Sequence, residues 1–198
     1  KIGSTNIGVD KLEHMFGMGF RYYKSHYLEE KPLYKTLKGG IFREKTTLGG
    51  NPIATGVFSY GDLSANFNGM RFWNHILQKH DDILGTAYNN GPYVKCESGY
   101  WKTTEKSIDF KNYVDESMDE SINCRKLATN GGLEQSKQEM IDRGFDPEAC
   151  PANEDSLKQM LSKYNVKIMD DPEGRTISHW IINQNGLGKV KYFNEFKD

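Results

Sequence analysis

Apolar residues recur at helical spacing along much of this chain, and the pattern is clearest in the segment that begins at Tyr60. Its apolar positions lie three or four residues apart and are Leu63, Phe67, Met70, Trp73 (or Asn74) and Leu77. This spacing is typical of one face of an α-helix. Ser59 and Asp62 match the S/T-x-x-D/E pattern of a helix cap, so the helix is predicted to begin at Tyr60 and to run to about residue 80.

Polar and small residues recur beside this apolar stripe at the same spacing. They are Asp62, Asn66 and Gly69, which place a carboxylate, an amide and a glycine on one side of the predicted helix. A helix that only packs in a core does not need such residues. We therefore expect a polar group or another backbone segment to come close to this side.

The rest of the chain predicts a mainly α structure with a small β component (α+β). Further helices are predicted over residues 10–27, 33–44, 110–123, 133–143, 154–164 and 177–182. Turn-forming residues at 46–52 precede residues 53–58, which predicts a small β-hairpin. A short extended segment is predicted within residues 93–101.

Length and composition set broad limits on the class of protein. The 198 residues favour a single domain over 1–198 and are sufficient for a packed core. Hydrophobic residues make up 36% and charged residues 27%, a balance typical of a globular protein. The formal net charge of −1 gives no basis for a nucleic-acid partner. No apolar run of about 18 residues is present, so no membrane-spanning helix is predicted.

The three cysteines, Cys96, Cys124 and Cys150, show none of the spacings of a zinc site. In an exported protein they would form one disulfide and leave one free thiol, whereas in a cytosolic protein all three would be thiols. Any pair could bridge, so cysteine usage by itself leaves the compartment open. No sequence feature ties a cysteine to a histidine base, and a catalytic cysteine is not expected.

Aromatic residues make up 12% of the chain, and they could serve either the core or a sugar-binding surface. The numbers alone do not choose between these roles. Tyr60 and Tyr88 are the better candidates for a ligand groove, because turn-forming residues surround both of them.

Glu44 is the first candidate for chemistry, since it lies where a predicted helix gives way to the Gly/Thr-rich hairpin. A helix can hold such a carboxyl group at the wall of a cleft. The hydroxyl groups of Thr46, Thr47, Thr55 and Ser59 could surround it. The alternative is an exposed glutamate paired with a neighbouring basic residue, which is the common case for this residue type.

Asp10, Lys11 and His14 lie together at one end of the first predicted helix, and Asp10 and His14 share a face because they are four residues apart. The alternative interpretation is structural: Asp10 would interact favourably with the helix dipole, and His14 would be an ordinary hydrogen-bonded histidine. Asp62 could join them, but two carboxylates and one histidine lack a third firm ligand. No metal is therefore predicted at this cluster.

The order of these residues resembles a motif of VanZ-like bacterial proteins. That motif reads D-K-x-x-H, then E, then D-x-x-A-N-x-x-G, and it matches residues 10–14, Glu44 and residues 62–69 of this chain. The match covers about the first third of the sequence. VanZ-like proteins are generally embedded in membranes, whereas this chain has no predicted span, so the resemblance implies a shared local arrangement of polar residues.

A second resemblance, to the lysozyme superfamily, concerns the arrangement of elements. In that superfamily a helix ends in a glutamate that is the general acid, a β-hairpin lines the sugar groove, and another helix follows. The run T-G-V-F-S-Y-G-D-L-S-A-N at 55–66 is also similar to bacterial lysozyme-like wall hydrolases of the deacetylation-specific type. The resemblance implies a lysozyme-like helical domain with its catalytic core at about 10–80.

These observations lead to a functional prediction: a glycosidase that cleaves the glycan strands of bacterial peptidoglycan or a related polysaccharide. Glu44 is the expected general acid, and Thr47, Thr55, Ser59 and Tyr60 are expected to bind substrate or position water. Asp10, His14, Asp62 and Asn66 are expected to form a structural hydrogen-bonding network. No cofactor is expected.

A wall hydrolase would be periplasmic or secreted, where disulfides persist. We then expect one disulfide, with Cys124–Cys150 as the first choice. The leading alternative is a non-enzymatic envelope protein whose polar motif binds a small ligand. A third interpretation is a lipid- or wall-modifying enzyme that uses His14 with Asp62.

Overall fold

The structure, a computed structural model, describes residues 1–45, 57–127, 130–142, 144, 146–147 and 149–184. Most of the predicted hairpin, at 46–56, lies outside these residues, as do the predicted site residues Thr47 and Thr55. The fold is mainly α with small antiparallel β pairings, as predicted.

Six helical stretches form the framework of the described structure. Helix α1 covers residues 9–28 as four consecutive segments, Val9–Glu13, His14–Met18, Gly19–Tyr23 and Lys24–Leu28, of which the second and fourth are π-helical. The others are α2 (Leu33–Lys45), α3 (Tyr60–Leu77), α4 (Asn130–Asp142), α5 (Glu154–Lys163) and α6 (Ile177–Ile181). Each corresponds to a helix predicted from the sequence.

Helix α3 is the centre of the fold. Its first turn is capped as predicted, because Ser59 Oγ accepts a hydrogen bond from the backbone N–H of Asp62 at 3.0 Å. Residues 61–72 are all buried, so this helix is surrounded on every side. It lies between two apolar clusters, one that includes Leu37 and Ile177 and another against α1.

Helices α1 and α3 pack closely through two glycines. A Cβ added to Gly19 would lie 2.6 Å from the Cα of Gly69, and one added to Gly69 would lie 2.0 Å from the carbonyl oxygen of Met15. No side chain fits at either position without moving backbone. The expectation that another backbone comes close to Gly69 is therefore confirmed, and this approach brings the polar side of α3 against α1.

Strand β1 (Val57–Phe58) pairs antiparallel with β4 (Lys126–Leu127), and β2 (Val94–Glu97) pairs with β3 (Tyr100–Thr103) in a hairpin. The extended segment predicted within residues 93–101 is thus one strand and part of another. The described partner of β1 is distant in the sequence, so a local turn signal could not identify it.

The helix predicted over residues 110–123 was wrong. This segment instead contains two short 3-10 turns, Phe110–Asn112 and Glu116–Met118. The reason is local: Asp109, Asp115 and Asp119 each accept a hydrogen bond from the backbone N–H two residues later, at 2.9–3.0 Å. Such Asx turns compete with helix formation. The apolar residues at helical spacing in this segment are buried in the core, although the segment itself is not a helix.

Cys124 and Cys150 form a disulfide, which confirms the pairing favoured from the sequence. The bond joins the segment before β4 to the segment before α5. Cys96 is free and exposed on β2. Among the described residues, every helix is either too short or too polar to cross a membrane.

Candidate functional site

The first three helices bring together the polar residues that the sequence singled out. Asp10 and His14 lie on the first turns of α1, Glu44 lies near the end of α2, and Asp62 and Asn66 lie on the first two turns of α3. The close packing of α1 on α3 at their glycines sets the distance between these side chains. The expectation that Asp62 and Asn66 face the first helix is confirmed.

The ammonium group of Lys11 is the hub of the buried charges. Its Nζ atom lies 2.6 Å from Asp62 Oδ1, 2.7 Å from Asp10 Oδ2 and 2.8 Å from Glu120 Oε1. We call these four residues the Lys11 cluster. Burial alone would lower the pKa of Lys11, but the charges of Asp62 and Glu120 raise it above its usual value. The lysine therefore stays charged although it is almost fully buried.

The three carboxylates of the Lys11 cluster have oxygens within 4.8 Å of one another, a separation that could also suit a metal ion. The Lys11 ammonium already lies within ion-pairing distance of all three. This arrangement supports the structural interpretation of the cluster, because an internal ammonium group already contacts all three carboxylates.

His14 is held between two residues of α3. Its Nδ1 lies 3.0 Å from Asn66 Oδ1, and its Nε2 lies 3.4 Å from Asp62 Oδ2. Asp10 reaches Asp62 only through Lys11, since both carboxylates contact the same ammonium group. The imidazole is half-buried, so its ring is fixed in orientation while one side remains accessible.

Ser59 connects the cluster to Glu44, although not in the way predicted. Its hydroxyl donates to Glu120 Oε1 at 2.8 Å, and its backbone N–H donates to Glu44 Oε1 at 3.2 Å. The expectation was that the hydroxyl would orient the Glu44 carboxyl or a water. The backbone orients Glu44 instead, because the hydroxyl is used for the helix cap and for Glu120.

Glu44 is buried, with 4% of its surface exposed, and this excludes the alternative of an exposed surface glutamate. Burial, and then the negative charge of Asp62 beside it, raise the pKa of Glu44 to about 8. Glu44 is therefore a carboxylic acid at neutral pH.

A cleft of about 350 Å³ opens beside this acid, and we call it the Glu44 cleft. The residues of the predicted motif that line it are Asp10, His14, Glu44 and Asn66. Glu13, Arg21 and Arg43 add charges to its wall. The cleft thus combines a neutral acid, an oriented imidazole, an amide and exposed carboxylates, which is a set suited to proton transfer on a polar ligand.

Ser59 and Tyr60 are not among the described residues that line this cleft. The Tyr60 hydroxyl accepts a hydrogen bond from Lys126 at 2.8 Å, and its ring packs on Phe58. Tyr88 lies against the guanidinium group of Arg71, at the other end of α3. Neither tyrosine is placed with Glu44.

Sequence reasoning missed Glu120, which lies outside the motif and in the segment wrongly predicted as helix. Tyr22 is buried in the core, and its hydroxyl lies over Gly40 so closely that a Cβ on Gly40 would stand 1.5 Å from it. A glycine in the middle of α2 is a local sequence signal for such close packing. No comparable local signal marks Glu120.

Comparison of the chain with family models, with curated proteins and with solved structures gives no match.

Proposed function

We propose that this protein cleaves glycosidic bonds in bacterial peptidoglycan, or in a related polysaccharide, with Glu44 as the general acid. The observation that carries the proposal is the buried carboxyl group of Glu44 at the wall of an open cleft, where burial and the charge of Asp62 raise its pKa to about 8. Glycoside hydrolysis requires an acid that keeps its proton near neutral pH and donates it to the leaving oxygen. A periplasmic or secreted location belongs to the same proposal.

The surroundings of Glu44 suit this role. Helix α2 fixes its backbone, and the Ser59 N–H fixes one carboxyl oxygen. Burial and the Asp62 charge keep the proton in place until a glycosidic oxygen approaches. The proton then moves from Glu44 to that oxygen as the bond from it to the anomeric carbon breaks.

Asp62 is not the second catalytic carboxylate in this proposal. It forms an ion pair with Lys11 and is not among the described residues that line the Glu44 cleft, whereas the second carboxyl group of a glycosidase stands across the scissile bond from the acid. Asp62 is instead a positioning residue that holds the proton on Glu44. Asp10 and Glu13, the other carboxylates that line the Glu44 cleft, are available to activate a water.

The test is product analysis after incubation with purified peptidoglycan, in native and chemically deacetylated forms. The proposal predicts a fall in turbidity together with new reducing ends, because a glycosidic bond is broken. New amino groups without reducing ends would indicate cleavage of the peptides and would contradict the proposal. Glu97→Gln, a change on the exposed β2–β3 hairpin, is the matched control for loss of a carboxylate.

A non-enzymatic envelope protein that binds a small ligand in the same cleft is the second candidate. The observation that favours it is that the polar groups already pair with one another. Lys11 contacts three carboxylates, and His14 contacts Asn66 and Asp62. Such networks also occur for structural reasons. Saturable binding of wall fragments with no change in their mass would favour this candidate over the glycosidase.

A further inference from the structure

A second cleft, of about 480 Å³, lies between α1 and α2. We call it the basic groove. Its charged lining residues are Arg21, Lys24, Lys31, Lys35, Arg43 and one acidic residue, Glu29. The groove therefore has five basic side chains and one carboxylate, a strong local excess of positive charge in a chain whose net charge is −1. Such a groove concentrates anions at its surface.

The single acidic residue of the basic groove is already compensated. Glu29 lies 2.7 Å from Lys31 Nζ and 3.7 Å from Lys24 Nζ. The hydrogen bond and charge of Lys31 lower the pKa of Glu29, as expected in a positive environment. The groove as a whole therefore remains cationic after this internal pairing.

The basic groove adjoins the Glu44 cleft. Arg21 on α1 and Arg43 on α2 line both cavities. Tyr22, which lines the basic groove, is 2% exposed, and its hydroxyl makes no hydrogen bond of ordinary geometry within the described residues although Asn66 lies beside it. A buried donor without a hydrogen-bond partner in the lining of the basic groove is suited to a polar ligand there.

We infer that the basic groove binds the carboxylate groups of an acidic wall glycan while the adjacent sugar lies at Glu44. This inference rests on the proposed function and names the substrate class: a glycan that carries anionic substituents beside the cleaved bond. Guanidinium groups bind carboxylates through paired hydrogen bonds, so Arg21 would fix the register of the glycan. The lysines farther along the groove would add attraction that weakens with salt.

The experiment measures the affinity of a soluble disaccharide–tetrapeptide fragment of peptidoglycan by calorimetry, with the full chain carrying Glu44→Gln so that the fragment is not consumed. The same fragment with its carboxylates converted to amides is the second probe. The test variant adds Arg21→Gln and Lys35→Gln. The control variant adds Lys95→Gln and Lys102→Gln, which remove the same charge from the exposed β2–β3 hairpin.

The inference predicts that the test variant binds the acidic fragment at least about tenfold more weakly than the control variant, and that this difference disappears with the amidated fragment. Equal binding by both variants, or equal binding of both fragments, would overturn it. Binding of inorganic polyphosphate in place of the fragment would overturn the assignment to carboxylates. The proposed function would fail by a different result. In that case the parent protein would cleave no glycan, although it would still bind the acidic fragment in a charge-dependent way.

Discussion

Lys11 Nζ lies 2.6 Å from Asp62 Oδ1, and both side chains are buried. This ion pair affects more than the packing of α1 on α3, because the charge of Asp62 also contributes to the raised pKa of Glu44. The compensating lysine therefore permits a negative charge beside the candidate acid. The structural network and the proposed chemistry share one residue, Asp62.

Replacing Lys11 by Met should destabilise the protein strongly at neutral pH. The change removes the cation from the buried Asp62 carboxylate, while Glu120 stays paired with Arg125, and removal of one partner from a buried ion pair typically costs about 3–5 kcal/mol of unfolding free energy. Urea denaturation measures the effect. Lys158→Met is the control, since Lys158 makes only exposed pairs and its loss should cost less than about 1 kcal/mol. Similar stabilities for the two variants would contradict the role of Lys11.

Replacing Glu44 by Gln should remove a specific pH dependence of stability. Glu44 ionises near pH 4.5 when unfolded but keeps its proton to about pH 8 when folded. Its stabilising contribution to the unfolding free energy is therefore complete below pH 4.5. This contribution is lost as the pH rises toward 8, by up to about 1.4 kcal/mol per pH unit. Glutamine resembles the protonated acid and does not titrate.

Urea denaturation of both proteins between pH 5 and pH 8 gives this comparison. The variant should become progressively more stable than the parent as the pH rises across this range. Parallel stability curves for the two proteins would show that Glu44 ionises normally in the folded state. Such a result would also remove the main support for Glu44 as a proton donor.

Replacing Gly69 by Ala should destabilise the packing of α1 on α3. The new methyl group would lie 2.0 Å from the carbonyl oxygen of Met15, so backbone must move, and overpacking of this kind typically costs about 1–3 kcal/mol. Gly39→Ala is the matched control, because Gly39 is also within a helix but an added Cβ there meets no atom within 4 Å. That variant should gain up to about 1 kcal/mol from helix propensity. Thermal denaturation of both variants tests the contrast, and a stabilised Gly69→Ala variant would contradict the close approach.

Non-reduced protein should contain one disulfide, Cys124–Cys150, and one thiol, Cys96, that reacts with an alkylating reagent. Loss of the bond through Cys150→Ser should reduce the unfolding free energy by about 2–4 kcal/mol, whereas Cys96→Ser should have little effect. Mass spectrometry of alkylated, proteolysed protein identifies the pairing. Three alkylated cysteines in native protein would contradict the bond.

Local signals in the sequence were sufficient for the elements that hold the site. The Ser59 cap and the apolar spacing after it predicted α3, and the spacing of Asp62, Asn66 and Gly69 predicted its contact with α1. These predictions were correct because the helix cap, the apolar stripe and the glycine all depend on residues that are close together in the sequence. Asn153 caps α5 in the same way, since its side-chain oxygen accepts hydrogen bonds from the backbone N–H groups of Asp155 and Ser156.

The parts that could not be predicted depend on contacts between distant residues. Glu120 reaches Lys11 from a segment whose Asx turns replaced the expected helix, and β1 finds its partner at β4. The position of Lys11 itself was visible in the motif, but its role as the hub required three carboxylates from three parts of the chain. Periodicity reports the burial of side chains and does not identify their partners.

The most direct test of the account is the rate at which Glu44→Gln releases reducing ends from purified peptidoglycan, compared with the parent protein at the same pH. A positioned general acid contributes about 10²–10⁴-fold to a rate, so we predict a loss of at least about 100-fold with an unchanged circular dichroism spectrum. Glu97→Gln, measured in parallel, should retain the parental rate. Release of reducing ends by a folded Glu44→Gln variant at the parental rate would contradict the assignment of Glu44 as the general acid.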